Sequence, residues 1–332
     1  MLTHCLYLLA WAALIYLSCE YFVNGIEWVG LRWGVTESAV GSVLAAFGTA
    51  LPESVITFVA VVLGHSPAAR QIGIGAAIGG PLVLSTIAYA VVGACVLAFG
   101  RRTRGPTLGS ADLGRLAGDQ TWFLVIFAAK VALGFIAFAY KPWLSVLFLL
   151  AYGVYTWHEV TRPAAAPGAL EVEFEPLKIR PHDAQPGIAW ALLQTVAALG
   201  VIYLASQAFV GQLALLQPAL GLSPQLTALL LSPIATELPE VLNAVIWLRQ
   251  GKTRLALGNI SGAMMIQATI PSALGIAFTP WLFDRPLAIA AGVTFGSIAL
   301  MWVLLKLRRL SAAGLAAFGL LYLAFAVLIV LT

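Results

Sequence analysis

The chain has 332 residues, 61% of them hydrophobic and 10% charged, with a mean hydropathy of +0.94. Soluble globular chains carry about 45–50% apolar and about 25% charged residues, so a soluble monomer is excluded. The net charge of +4 sits in short basic clusters between long apolar runs, which needs no nucleic-acid partner, and unalternating runs of this length exclude a transmembrane barrel.

A helix crosses a bilayer core with roughly 20 apolar residues. On that measure the sequence predicts ten spans, near 5–31, 36–63, 70–99, 120–139, 141–158, 187–216, 224–248, 254–279, 285–305 and 311–331. The first has no basic residue before Arg32 and no small-residue cleavage site, so it reads as a retained helix. Cys5, Cys19 and Cys95 lie in apolar stretches without a CxxC and read as small buried hydrophobes. The connection 159–186 carries Glu171, Glu173, Glu175, Lys178 and Arg180 among prolines. Too short and polar for a folded domain, it reads as a cytoplasmic linker between five-helix halves at 1–158 and 187–332. With the N-terminus outside, fourteen basic residues fall in cytoplasmic connections, among them Arg32, Arg101, Arg115, Lys178, Arg249 and Lys306. The opposite connections hold Arg70, Lys141 and Arg285. This asymmetry predicts a plasma (inner) membrane protein with both termini outside the cytoplasm.

Shifted by 187 residues, segment 16–53 aligns with 203–240 without a gap. Ten of 38 positions are identical, and four of them cluster as Thr49/Thr236, Leu51/Leu238, Pro52/Pro239 and Glu53/Glu240. Five crossings separate the copies, so they run oppositely through the bilayer. The expected fold class is therefore all-α and polytopic, ten transmembrane helices in two inverted five-helix repeats, an architecture typical of secondary transporters.

Glu53 and Glu240 fall mid-span, each behind a proline. A charge at the bilayer centre costs ~2.5–3.5 kcal/mol on insertion scales, so such residues mark a pathway or site. Proline removes a backbone donor, so Gly48–Glu53 and Ala235–Glu240 are expected to be helix breaks with carbonyl oxygens free beside a carboxylate. Carboxylate and carbonyl oxygens together suit a hard cation such as Ca2+. Two ionised glutamates balance one divalent ion; without it they repel, and at least one tends to protonate. Glycine-rich stretches follow, Gly73-Ile74-Gly75-Ala76-Ala77-Ile78-Gly79-Gly80-Pro81 and Gly258-Asn259-Ile260-Ser261-Gly262-Ala263. Small residues let helices approach closely, and without a preceding strand the first stretch is no nucleotide-binding loop.

These residues resemble the cation/Ca2+ exchanger superfamily, which includes Na+/Ca2+ exchangers. Its members carry G-T-S-x-P-E followed by G-N-x-x-G-S-N in each half; here the counterparts are Gly48–Glu53, Ala235–Glu240 and Gly258–Gly262. The resemblance implies Ca2+ ligation by Glu53 and Glu240, with the carbonyls of Thr49 and Thr236 completing the shell. The family's Na+-binding serines fall on Ala50, Glu237, Gly80 and Ala263, and its polar helper residues on Leu84 and Gln267. Four hydroxyls are thus missing and a third carboxylate, Glu237, is gained. Glu237 either tunes a second ion, Na+ or a proton, with Gln267, or points away into a polar crevice.

The expectation is a secondary antiporter exchanging Ca2+ for Na+ or H+ by alternating access. A Na+/H+ or other cation/proton exchanger is the alternative, and a passive channel a distant one. Neither HExxH nor a mid-span histidine beside a serine is present, so no enzyme is expected. The implied partners are the transported cations and the lipid bilayer, with no resident cofactor, nucleic acid or obligate protein partner. Thr57 and Asn243 share the carboxylate faces and are expected to line the cavity, although Thr57 can instead bond back to its own helix. Glu20 and Asn24 lie one turn apart in the first span, and Glu20 either joins an outward vestibule or makes a structural contact. Lys130, mid-span, either snorkels or pairs with an acidic neighbour. The four histidines read as water-facing surface.

Overall fold

Where no water reaches the backbone, its polar groups must be satisfied within each segment, and the regular structure among the described residues is helical. The computed structural model describes residues 2–34, 39–63, 67–99, 110–161, 175–220, 229–230, 233 and 236–330. In chain order these form α1 (Leu2–Trp33), a π-helical turn (Val40–Ala45), α2 (Ala46–Thr49), α3 (Leu51–Phe58) and a second π-helical turn (Val59–Leu63). Then come α4 (Pro67–Val83), a third π-helical turn (Leu84–Ala88), α5 (Tyr89–Phe99), α6 (Ser110–Gly134), a 3-10 turn (Lys141–Leu144) and α7 (Ser145–Thr161). The remainder comprises α8 (Ile188–Leu220), α9 (Leu238–Arg249), α10 (Thr253–Phe278), α11 (Arg285–Lys306), α12 (Ala312–Ala317) and α13 (Gly319–Val330).

Among the described residues seven helical runs are long and apolar enough to cross a membrane, against the ten spans expected. The other three are the interrupted ones. Segment 36–63 is divided into short helices and π-helical turns, 141–158 opens with a 3-10 turn before the 17-residue α7, and of 224–248 the structure describes α9 and a few residues before it. The fourth span begins ten residues early, at Ser110, so Arg115 sits in a helix and not in a connection. The linker differs too: 159–161 finish α7, 162–174 lie outside the described residues, and 175–186 dock onto α1 and α8.

α10 is the central helix, with 83% of its span buried, packing on α2, α3, α4, α6, α7 and α9. α1 lies along α8 in opposite direction, joined by His4–Gln212 (2.9 Å) at one end and by Gln194 Nε2 to Tyr21 O (2.8 Å) near the other. The docked segment seals this second end. Asn24 Nδ2 donates to the Glu175 and Pro176 carbonyls, Trp28 Nε1 donates to Glu175 O at 3.0 Å, and Lys178 N donates to Asn24 Oδ1.

Two glycines set how closely the helices meet. A Cβ on Gly262 of α10 would run into the Ser42 carbonyl and the Ala46 side chain. One on Gly79 of α4 would run into Pro233 and the Leu229 carbonyl. Ser42 and Leu229, like Ala46 and Pro233, stand 187 positions apart, so the two contacts correspond under the internal repeat.

At the end of α1, Glu27 is buried and joins two partners. Trp247 Nε1 donates to its Oε1 at 2.7 Å, and Lys252, in the α9–α10 turn, forms an ion pair with its Oε2. Removing one partner of a buried pair leaves an uncompensated charge. Lys252→Ala should therefore cost about 3 kcal/mol, read as a lowered melting temperature in detergent, with Lys252→Arg recovering most of the loss.

Candidate cation site

The repeat-related motifs fold alike because the same proline interrupts both. Neither Pro52 nor Pro239 can donate to the carbonyl four residues back, and each sits two residues after a turn residue of the right-handed region with ψ opened to zero: Ala50 at φ −79°, ψ 0°, and Glu237 at φ −86°, ψ 0°. The bonds around them match as well. Ala50 N donates to Ala46 O and Glu237 N to Pro233 O, both at 2.9 Å; Ser54 N donates to Ala50 O at 3.2 Å and Val241 N to Glu237 O at 3.1 Å. Among the described residues the expected breaks are thus mild kinks at Ala50 and Glu237. Ala235 lies outside the described residues.

Glu53 opens α3 and Glu240 opens α9, and both are buried, at 1% and 0% exposure. All four of their carboxylate oxygens lack a hydrogen-bond partner. Thr236 stands beside Glu53 and Thr49 beside Glu240, so each glutamate faces the threonine of the other half. Neither hydroxyl is directed at it: Thr49 donates to Ala45 O at 3.1 Å, and Thr236 is turned toward Pro233 O (3.4 Å) and Glu237 Oε1 (3.3 Å).

Glu237 is fully buried, held by Gln267 Nε2 donating to its Oε2 at 2.6 Å. Both side chains lean on Gly80, where a Cβ would lie 2.8 Å from Gln267 Oε1 and 3.1 Å from Glu237 Oε1. A side chain at Gly80 would therefore compete for this space. Glu237 interacts electrostatically with both Glu53 and Glu240, yet among the described residues no three acidic, histidine or cysteine side chains converge as a metal centre. A bound cation would draw its remaining ligands from neutral oxygens. Several are buried without a partner: Thr57 Oγ1, Asn243 Oδ1, Asn259 Oδ1 and Gln267 Oε1. Asn259 also fixes the end of α9 by donating from Nδ2 to Glu240 O at 3.3 Å.

Thr49, Glu53, Thr236, Glu237, Glu240 and Gln267 are accordingly all buried on α2, α3, α9, α10 and the residues just before α9. Thr57 and Asn243 join them, and Thr57 does not bond back to its helix. Asn259 is an addition whose signal was its place in the second glycine-rich stretch. Glu20 belongs elsewhere. It lies 3.7 Å from Lys178 of the docked linker and lines a cavity of about 220 Å³ with Glu175, Ile246, Arg249 and Gln250. That is the end where the linker docks, and there Glu20 makes a polar contact, the structural one of its two expected roles. Asn24 is a tie to the linker segment. Cys19 is buried, with Sγ 3.9 Å from Pro239 O, as a packed small side chain. His4 bonds Gln212 and His158 lies against Glu159, while His65 lies outside the described residues.

The model of the family described as sodium/calcium exchanger protein matches residues 3–160 and 190–331. The chain belongs to the sodium/calcium exchanger family. As a member it is a membrane cation exchanger. It is similar to inner membrane protein YrbG of Escherichia coli (strain K12), 24% identical over 275 residues, covering 83% of this chain and 79% of the relative. Its fold matches that of the sodium-calcium exchanger NCX_Mj soaked with zero Na+ and Ca2+, at TM-score 0.72 and 19% identity over 97% of both chains. The form soaked with 2.5 mM Na+ and 0.1 mM Ca2+ gives TM-score 0.73 at 18% identity, over 98% of this chain and 97% of the other.

The Glu237–Gln267 bond is testable by itself. Gln267→Leu leaves a buried carboxylate oxygen without its donor, so this family member should lose about 2 kcal/mol of stability, seen as a lower melting temperature in cation-free detergent.

Proposed function

We propose that the protein exchanges Ca2+ for Na+ or H+ across the plasma (inner) membrane by alternating access, with the ion held between Glu53 and Glu240. The observation that carries this reading is the set of four buried carboxylate oxygens on these residues with no hydrogen-bond donor. Native proteins rarely bury polar atoms unsatisfied, and a carboxylate pair deep among apolar helices is tolerable only beside a countercharge. A divalent ion supplies one, and the unpartnered oxygens of Asn243, Asn259, Gln267 and Thr57 are hard ligands of the type Ca2+ accepts. The carbonyls of Thr49 and Thr236 belong to the proposed shell.

Alternation follows if the halves 1–158 and 187–332 are inverted repeats that rock about this site. Supporting this are the antiparallel course of α1 and α8, the matched kinks at Ala50 and Glu237, and the matched contacts of Gly79 and Gly262. The proposed orientation is supported by which ends meet. The linker residues 175–186, the end of α1 and the α9–α10 turn share one end. At another place two connections assigned to the outside meet, where Lys141 Nζ donates to Ile136 O at 2.7 Å and to Pro280 O and Trp281 O at 2.9 Å.

The empty state explains obligatory exchange. Stripped of cations, the carboxylates repel at low dielectric, so returning unloaded is unfavourable and a second cation must enter. Few hydroxyls surround the site: Ala50, Gly80 and Ala263 offer none, and Glu237 replaces one. That lack of Na+ ligands favours H+ as the coupling ion over several simultaneous Na+.

Purified protein in liposomes should take up Ca2+ when a Na+ gradient or a pH gradient is imposed. Uptake with the pH gradient alone identifies H+ as counter-ion, and absence of Ca2+ flux under both removes Ca2+ as substrate. Glu53→Gln and Glu240→Gln should each lower the flux by about 100-fold or more, since even outer partners of a metal site are worth about 10–100-fold.

A further inference from the structure

Lys130 is a buried charged side chain close to the site that the exchange reading leaves unused. It sits about one turn before the end of α6, fully buried. Its ammonium donates to Ala77 O on α4 at 3.0 Å and reaches Gln267 O on α10 at 3.5 Å, and it lies 4.8 Å from the centre of the Phe127 ring. None of these contacts carries a negative charge. The position is fixed from behind, because Trp281 Nε1 donates to the Lys130 carbonyl at 3.0 Å. An ammonium with only neutral contacts cannot remain in so dry a place unless a countercharge lies near.

That countercharge is the carboxylate cluster. Ala77 is three residues from Gly80, on which Glu237 and Gln267 lean, and Gln267 offers Lys130 its carbonyl and Glu237 its amide. Glu53 and Lys130 interact electrostatically without forming a direct ion pair. Lys130 thus stands one layer behind the cation site. Too far to be a ligand, it is close enough for its charge to be felt where screening is weak.

We propose that Lys130 is a built-in monovalent cation of the site. Glu53, Glu237 and Glu240 carry three negative charges, and Lys130 cancels one. The remaining two are neutralised by one divalent ion or by two monovalent ions, so one exchange cycle moves no net charge. The protein then keeps permanently, on a side chain, what would otherwise be a third transported cation. The inference rests on the exchange reading for the ion count, while the charge balance itself stands without it.

Two measurements separate these. In liposomes clamped at set membrane potentials, Ca2+ flux through the unaltered protein should not respond to potential, and Lys130→Arg should behave likewise. Lys130→Gln should make flux potential-dependent, reversing at the potential that three monovalent ions per Ca2+ require. Potential-independent flux in Lys130→Gln, or potential-dependent flux in the unaltered protein, overturns the proposal. The second measurement needs no transport. In cation-free detergent, Lys130→Gln should lower the melting temperature by removing the countercharge of the carboxylates, and in a Glu53→Gln background, where one negative charge is already gone, the same substitution should cost at most half as much. An equal loss in both backgrounds would reduce Lys130 to a packing residue and overturn the charge balance. If the unaltered protein moves no Ca2+ under any gradient, the exchange reading fails and the melting cycle alone still decides the role of Lys130.

Discussion

Everything in this fold is arranged around one electrostatic constraint: three carboxylates are buried among apolar helices, and two of them have no donor at all. Hydrophobic association cannot drive helices together where the solvent is itself hydrocarbon, so close packing and polar contacts must do so. A cluster of buried acids works against that association unless cations enter it. The same constraint therefore sets a stability requirement and a functional opportunity. A site that is unfavourable when empty and favourable when loaded ties conformational change to occupancy, because a state is reached only as readily as its charges are matched.

The packing near the carboxylates shows how the constraint is met with few residue types. Glycine and alanine line the contacts of α4 and α10, and the collisions that Cβ atoms would cause at Gly79 and Gly262 involve backbone carbonyls, which cannot swing aside. Close approach brings α10 against the π-helical turn Val40–Ala45 and against α2 and α3. Rigid elements at this distance keep both glutamates at fixed positions. The polar ties farther out, Gln120 to Tyr89 and Ser261 at 3.0 and 3.1 Å, join α6, α5 and α10 without using any group of the site.

Much of this was legible in the sequence because the energetics leave few options. A glutamate inside an apolar run is expensive, and two of them at a fixed offset, each after a proline, point to one place; Glu53 and Glu240 do lie buried and unpartnered. Helix positions followed from apolar length, except where residues compete with it. α6 starts at Ser110 because Asp119 and Gln120 find buried positions instead of ending the span. The extent of the kinks was not legible: proline forecasts a missing donor, but whether one residue or several leave the helix depends on what packs around them. The role of Glu20 stayed open in the sequence because its contact with Lys178 depends on where 175–178 docks, a long-range contact with no local pattern. The partner of Lys130 was hidden for a related reason: its hydrogen bonds go to carbonyls, which every residue has.

The departures from the resembling motif, taken one by one, look like losses: Gly80 where a hydroxyl was expected, Glu237 where another was. Placed in three dimensions they are a single change. A side chain at Gly80 would crowd the ends of Glu237 and Gln267, so the glycine on α4 leaves room for the glutamate before α9. The added carboxylate then raises the negative charge of the interior, and Lys130, behind the same pair of helices, offsets it. On the proposed exchange reading, the symmetric glutamates define where a divalent ion sits, and the asymmetric set of Gly80, Glu237, Gln267 and Lys130 defines how many charges must travel against it. Binding and coupling are then carried by different residues, and coupling can change in evolution while the divalent site stays as it is.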